Sequence, residues 1–104
     1  MAMKLVKPEE MENQVGVSLP AGEWFEIDQA RINAFADCTE DHQFIHLDEE
    51  AAAQTPFGGT IAHGFLTLSL LTKLCAENGI YPEGIVMGVN YGLDKVRFLN
   101  PVRA

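Results

Sequence analysis

The segment from residue 62 to residue 78 constrains the fold most strongly, because its pattern predicts one long helix that is apolar on almost every side. Its acidic and basic residues are Lys73 and Glu77, near the far end, and Gly79 follows as a helix-ending glycine. The apolar positions go most of the way round the helix: Phe65, Leu66, Leu68, Leu70, Leu71, Leu74 and Cys75. Such a helix must be wrapped by other parts of the fold.

The strands that the sequence predicts are too few to wrap this helix. Residues 23–27 are predicted as a short strand, and residues 84–102 as a long strand with a bulge at 92–94. A helix over residues 62–78 is about 25 Å long and needs a sheet of roughly five strands. We therefore expect a single α+β domain over residues 1–104 that is incomplete at its C-terminus, with about a third of the domain absent or supplied by a partner.

Three shorter helices are predicted from their first residues. Pro8 opens a short acidic helix that extends to Gln14. Asp28 is the expected N-cap of a helix that runs to about residue 38, and Asp48 caps a short helix over residues 49–53 with acidic residues in its first turn.

Charge and composition exclude several classes of function. The chain has 15 acidic and 7 basic side chains, for a formal net charge of −8, and the basic residues form no cluster, which argues against a nucleic-acid partner. No apolar run is long enough for a membrane span, and residues 1–10 lack the apolar core of a signal peptide. Cys38 and Cys75 are interpreted as reduced, buried thiols, and we expect a cytoplasmic protein.

The most polar segment, residues 39–48, contains the first candidate for chemistry. It places Asp41 and His46 five residues apart in a predicted loop. A carboxylate and an imidazole that converge on one water molecule can share its activation. The alternative is that Asp41 is a turn or capping residue and His46 a hydrogen-bonded structural side chain.

The second candidate is the glycine-containing segment 58–66, which leads into the long helix. Gly64 would let a thioester carbonyl approach the unpaired N–H groups at the start of that helix. The alternative is that these glycines make a turn and allow close packing. The spacing of Asp41, His42, His46 and His63 matches no strong metal-ligand motif, so no metal site is expected.

Several motifs in order resemble one known family. They are DxQFIHLD at residues 41–48, PFGGTIAHGFLTLSL at 56–70, NYGLDKVRF at 90–98 and NPV at 100–102. Together they resemble the MaoC-like dehydratases, which include the (R)-specific enoyl-CoA hydratases (hydratase-2), and in particular their NodN-like branch. The similarity extends from about residue 10 to the end of the chain.

The resemblance implies a hot-dog fold, in which an antiparallel sheet wraps a long central helix. Family members continue beyond the position that corresponds to residue 104, which implies that the last strands of the sheet are missing here. It also implies a homodimer for the complete domain.

The resemblance also implies roles for individual residues. Asp41 and His46 match the catalytic pair that activates water, and Gly64 matches the glycine whose N–H binds the thioester oxygen. Thr72 stands where some relatives have a serine that hydrogen-bonds the catalytic carboxylate. His63 is interpreted as structural or helix-capping.

Three further residues of these motifs, Gln43, Phe57 and Gly59, are expected to bind or support the substrate. The hydratase-2 pattern has Asn and Pro where this chain has Gln43 and Phe44, which bears on substrate preference more than on the chemistry.

The expected reaction is the addition of water to trans-2-enoyl-CoA to give (R)-3-hydroxyacyl-CoA. An acyl-CoA is then the substrate, and no cofactor is expected. Two alternatives remain open, a hot-dog acyl-CoA thioesterase, which would release free thiol, and a non-catalytic acyl-CoA-binding fragment.

Overall fold

The computed structural model describes residues 3–104, which form two compact units. The first unit contains residues 3–24 and 71–96, and the second contains residues 25–70 and 97–104. Within the described residues, no helix is long and apolar enough to cross a membrane.

The regular elements are short. In the first unit they are strand β1 (Lys4–Val6), a 3₁₀ helix (Pro8–Gln14), helix α5 (Leu71–Asn78) and strand β2 (Ile80–Pro82). In the second unit they are the helices α1 (Gln29–Thr39), α2 (Phe44–Leu47), α3 (Glu49–Ala53) and α4 (Gly64–Ser69). The mixture of helices and a small sheet agrees with the predicted α+β class.

The predicted starting points of the three shorter helices are confirmed. Pro8 begins the 3₁₀ helix, where its missing N–H costs no hydrogen bond. The Asp28 carboxylate accepts a hydrogen bond from the N–H of Arg31 at 2.9 Å, and the Asp48 carboxylate accepts one from the N–H of Ala51 at 3.0 Å. Each bond pairs one of the N–H groups that the first turn of a helix leaves free.

The prediction of one continuous helix over residues 62–78 is wrong. Helix α4 begins at Gly64 and ends at Ser69, and α5 begins after a single turn residue, Leu70. The Ser69 hydroxyl donates to the carbonyl of Phe65 at 2.6 Å, a bond that competes with the helical ladder and commonly bends it. Gly79 lies outside the positive-φ region, so α5 does not end in the expected left-handed glycine.

The predicted strands at residues 23–27 and 84–102 are irregular in the structure. A strand is stable only when a neighbour pairs with its backbone, and these segments have no strand neighbour among the described residues. Trp24, Val86, Val89 and Tyr91 are consequently exposed. The one sheet observed, β1 with β2, is parallel, whereas the expected sheet is antiparallel.

The core of the second unit is formed by Ile32, Ala62 and Leu66. These residues join α1 to the start of α4, and partly buried side chains surround them: Ile27, Phe35, Leu47 and Leu70. This packing fixes the segment of residues 60–66 against α1. The prediction of buried cysteines is wrong, because Cys38 and Cys75 are both free and exposed.

Candidate functional site

The turn after α1 positions Asp41. Glu40 ends the helix with φ 64° and ψ 20°, in the left-handed region, which reverses the chain direction. The Asp41 carboxylate accepts a hydrogen bond from the N–H of Gln43 at 3.3 Å, and 52% of the side chain is exposed. Asp41 is therefore a turn residue, as the alternative prediction states, and one carboxylate oxygen remains outside that turn bond.

His46 lies on α2 and is buried. Its Nδ1 is 2.7 Å from the carbonyl oxygen of Ile61. A carbonyl oxygen can only accept a hydrogen bond, so Nδ1 carries the ring proton and donates the bond. Nε2 of the neutral ring then has a lone pair that can accept a proton. The backbone carbonyl of His46 in turn accepts from the side-chain amide of Gln29 at 2.7 Å.

His63 joins the two predicted catalytic residues. Its Nε2 donates to the backbone carbonyl of Asp41 at 3.0 Å and lies 4.0 Å from the carboxylate oxygen Oδ2 of the same residue. Its ring stacks on the ring of His46, with centroids 3.8 Å apart and an interplanar angle of 23°. His63 occupies the N-cap position of α4 but makes no side-chain capping bond, so of its two predicted roles, structural or helix-capping, the geometry favours the structural one.

In this unit, one carboxylate and two imidazoles lie close enough to act on the same small molecule or ion: Asp41, His46 and His63. Each offers one possible ligand atom, and these three atoms lie within 4.8 Å of one another. Two ligands on one tetrahedral zinc ion are about 3.3 Å apart, given Zn–N distances of about 2.0 Å. The group would have to contract to hold such an ion, whereas its present spacing suits a bridging water molecule.

A cavity of about 290 Å³ lies beside His46. Gly64 and Phe57 line it, and the rest of the wall is mostly apolar: Ile61, Ala62, Thr67, Phe98, Leu99, Asn100, Pro101 and Val102. As the first residue of α4, Gly64 has an N–H with no acceptor inside the helix. A Cβ atom at this position would lie 2.6 Å from the ring of Phe98, so only glycine fits here without a shift.

The other predicted site residues lie outside this cavity among the described residues. Gln43 is exposed at the N-cap of α2. Gly59 is buried where a Cβ atom would meet the ends of the Arg103 and Glu49 side chains, so it supports the loop. Thr72 lies on α5 in the first unit and lines a separate cavity there, and its bond to Asp41 stays a prediction.

A hydrogen-bond network behind His46 was not predicted from the sequence. The hydroxyl of buried Thr60 lies 2.6 Å from Gln29 Oε1 and 2.8 Å from Glu49 Oε2, and the Thr60 N–H donates to the same Glu49 oxygen at 3.1 Å. These bonds from Thr60 lower the pKa of the Glu49 carboxyl. Because Gln29 also donates to the His46 carbonyl, the network holds α2 in place. The partners are 11 to 31 residues apart, and no local pattern pairs them.

A known family matches nearly the whole chain. The model of the MaoC-like domain matches residues 10–104. The chain belongs to the MaoC-like dehydratase family. The match confirms the predicted resemblance to this family.

Two curated relatives show which MaoC-like proteins the chain is similar to. It is 53% identical to Nodulation protein N of Rhizobium meliloti over 95 residues, covering 90% of this chain and 59% of the relative. It is 50% identical to 3-hydroxyacyl-thioester dehydratase Z of Mycobacterium tuberculosis over 88 residues, covering 84% of this chain and 57% of the relative. The chain spans about three fifths of the length of these relatives.

A solved structure confirms the hot-dog class. The monoamine oxidase regulatory protein from Archaeoglobus fulgius superposes with a TM-score of 0.61 at 32% sequence identity, over 76% of this chain and 52% of that one.

Proposed function

We propose that this chain carries the catalytic residues of a hydratase that adds water to trans-2-enoyl-CoA to give (R)-3-hydroxyacyl-CoA. One observation carries the proposal: a ligand atom of Asp41 and one of His46 lie within 4.8 Å of each other, and His46 and Gly64 line a largely apolar cavity. A relative named as a 3-hydroxyacyl-thioester dehydratase supports it, since dehydration of a 3-hydroxyacyl thioester is the reverse of this hydration.

In the proposed mechanism the pair activates one water molecule. His46 Nε2 accepts a proton while the Asp41 carboxylate orients the water, and the water oxygen forms a bond to C3 of the enoyl group. Electrons of the C2=C3 bond move toward the thioester carbonyl, and the pair then returns a proton to C2. Water is consumed and nothing is oxidised or reduced, so the reaction needs no redox cofactor.

Gly64 is assigned to the thioester carbonyl. Negative charge develops on that oxygen when C3 is attacked, and an N–H group placed in advance stabilises it. The Gly64 N–H is free of helical pairing at the edge of the cavity. A cavity of about 290 Å³ with apolar walls favours a short to medium acyl chain.

The test is hydration of crotonyl-CoA, followed as loss of enoyl-thioester absorbance together with an assay for free thiol. We expect the unmodified chain to consume the enoyl group without releasing thiol. Asp41→Asn and His46→Ala should each lower the rate by on the order of 10²–10⁴. Asp37→Asn is the matched control, because Asp37 is an exposed carboxylate on α1 that pairs with His42.

Three outcomes contradict the proposal. Full activity in both Asp41→Asn and His46→Ala would exclude the assigned pair. Release of free thiol at the rate of enoyl loss would indicate a thioesterase, and binding of crotonyl-CoA without turnover would indicate a non-catalytic fragment.

A further inference from the structure

We propose that His63 is a positioning residue that fixes Asp41 relative to His46, so that both side chains meet the same water molecule. This inference rests on the proposed hydratase function and assigns no reacting atom to His63. It starts from the observation that one buried ring contacts both members of the pair.

His63 connects the exposed turn that carries Asp41 to the interior of the second unit. The residues on either side of Asp41 are exposed, and its own N–H makes a long bond, 3.4 Å, to the hydroxyl of Thr39. The 3.0 Å bond from His63 Nε2 to the Asp41 carbonyl is shorter and comes from a side chain that is only 3% exposed. We infer that this bond determines where the Asp41 carboxylate lies.

The contact with His46 restricts the orientation of the catalytic ring. The two imidazoles stack with centroids 3.8 Å apart, and the bond from His46 Nδ1 to Ile61 holds one edge of the ring. Rotation of the His46 ring about its Cβ–Cγ bond would break both contacts. Nε2 is therefore held in one direction before substrate binds, which is the condition for efficient proton transfer.

His63 is itself firmly held. Its ring packs against Phe35 with centroids 4.8 Å apart, and its backbone carbonyl accepts from the N–H groups of Leu66 and Thr67 at the start of α4. Movement of the ring would thus require movement of the core.

The surroundings of the second ring nitrogen of His63, Nδ1, distinguish a positioning role from a purely structural one. Nδ1 is buried and has no hydrogen-bond partner within the described part of the chain. An unpaired buried polar atom destabilises the folded state, and a phenylalanine of similar shape would avoid this cost. A residue present only for packing has no reason to carry that nitrogen, whereas a residue required for its Nε2–H does.

Two variants of the complete chain test the proposal. His63→Phe keeps a ring against His46 and removes the donor to Asp41, and His63→Gln keeps a donor amide of similar reach and removes the ring. For His63→Phe we expect kcat for crotonyl-CoA to fall by about 10- to 100-fold, the loss typical of a misplaced catalytic group, with KM within about two-fold and Tm equal or higher. His63→Gln should recover part of the lost kcat.

The outcomes that overturn the proposal are distinct. Unchanged kcat in His63→Phe excludes it. A fall in kcat that follows a fall in Tm in both variants indicates a structural role, because the loss then tracks the folded fraction. A rise in KM alone indicates that His63 contacts the substrate.

A measurement without turnover separates this inference from the proposed function. If the unmodified chain does not hydrate crotonyl-CoA, the proposed function fails, and ¹⁵N NMR of the ring nitrogens and of the Asp41 amide then decides the positioning claim. We expect His46 protonated at Nδ1 in the unmodified chain, and altered His46 and Asp41 signals in His63→Phe. Unaltered signals would overturn the inference.

Discussion

Substitution of Gly64 by alanine tests the geometry of the cavity most sharply. An ideal Cβ atom at Gly64 would lie 2.6 Å from Cδ2 and 2.8 Å from both Cγ and Cε2 of Phe98. Ordinary contact begins at 3.4 Å, so the closest approach is 0.8 Å too short (3.4 minus 2.6). Either the backbone of α4 or the Phe98 ring has to move, and both line the cavity.

The magnitude follows from the costs of overpacking. Inserting one methyl group into a filled site typically costs about 1–3 kcal/mol, and the preference of a helix for alanine over glycine returns at most about 1 kcal/mol. We expect the free energy of unfolding to fall by about 1–2 kcal/mol. Because the Gly64 N–H is assigned to the thioester oxygen, its displacement should also lower kcat by up to about 10²-fold.

The assay combines urea denaturation with crotonyl-CoA hydration, and the chain offers a matched control. Gly88 has no heavy atom within 4 Å of its ideal Cβ and does not require a positive φ. Gly88→Ala should therefore change the free energy of unfolding by less than about 0.5 kcal/mol and leave kcat unchanged. Adding Phe98→Leu to Gly64→Ala should recover part of both losses, since the two sites are in contact. If Gly64→Ala and Gly88→Ala had the same free energy of unfolding and the same kcat, the predicted clash between the new methyl group and Phe98 would be excluded.

Three further predictions concern the polar contacts around the site. Thr60→Val removes the hydroxyl shared by Gln29 and Glu49, and urea denaturation should show a loss of about 1–2 kcal/mol because Thr60 is buried. Hydrogen bonds from Thr60 lower the pKa of Glu49, so the stability they give is present above the pKa of an unfolded glutamate and is lost as pH falls through the lower folded value. Tm measured against pH should therefore fall less steeply in acid for Glu49→Gln than for the unmodified chain. The hydrogen bond that the His42 ring donates to the Asp37 carboxylate raises the pKa of exposed His42, so the stabilisation from this bond is complete below the unfolded histidine pKa and is lost as pH rises through the folded value. In Asp37→Asn an NMR titration should return His42 toward its ordinary pKa, while hydration activity stays unchanged.

The features predicted correctly from the sequence are those decided within one turn of chain. Pro8, Asp28 and Asp48 each act on backbone groups within three or so residues, so their caps follow from local chemistry alone. The family motifs indicated Asp41 and His46 as a catalytic pair; the structure places a ligand atom of each in one cluster, and their catalytic role stays a prediction.

The features predicted wrongly depend on distant partners. The apolar pattern of residues 84–102 indicates a need for burial, yet a strand also needs a neighbouring backbone, which that pattern does not specify. The helix breaks at Leu70, next to a serine hydroxyl that bonds a carbonyl of the preceding turn, and a hydrophobic pattern does not reveal such a bond.

The role of His63 could not be predicted for a similar reason. Its partner Asp41 is 22 residues away, and its partner His46 lies on a different helix. The sequence signal that was available is a histidine directly before Gly64 in the IAHG motif, and only the fold shows that its ring turns back toward Asp41 and His46.

The most direct test of the central claim is the identity of the product that this chain forms from crotonyl-CoA. Chiral chromatography of the reaction, with Asp41→Asn run in parallel, identifies both the bond that is changed and the face that is attacked. We expect (R)-3-hydroxybutyryl-CoA from the unmodified chain, no free thiol, and a rate lower by on the order of 10²–10⁴ in the variant. Crotonate with free CoA, or the (S) product, or an undiminished rate in Asp41→Asn would contradict it.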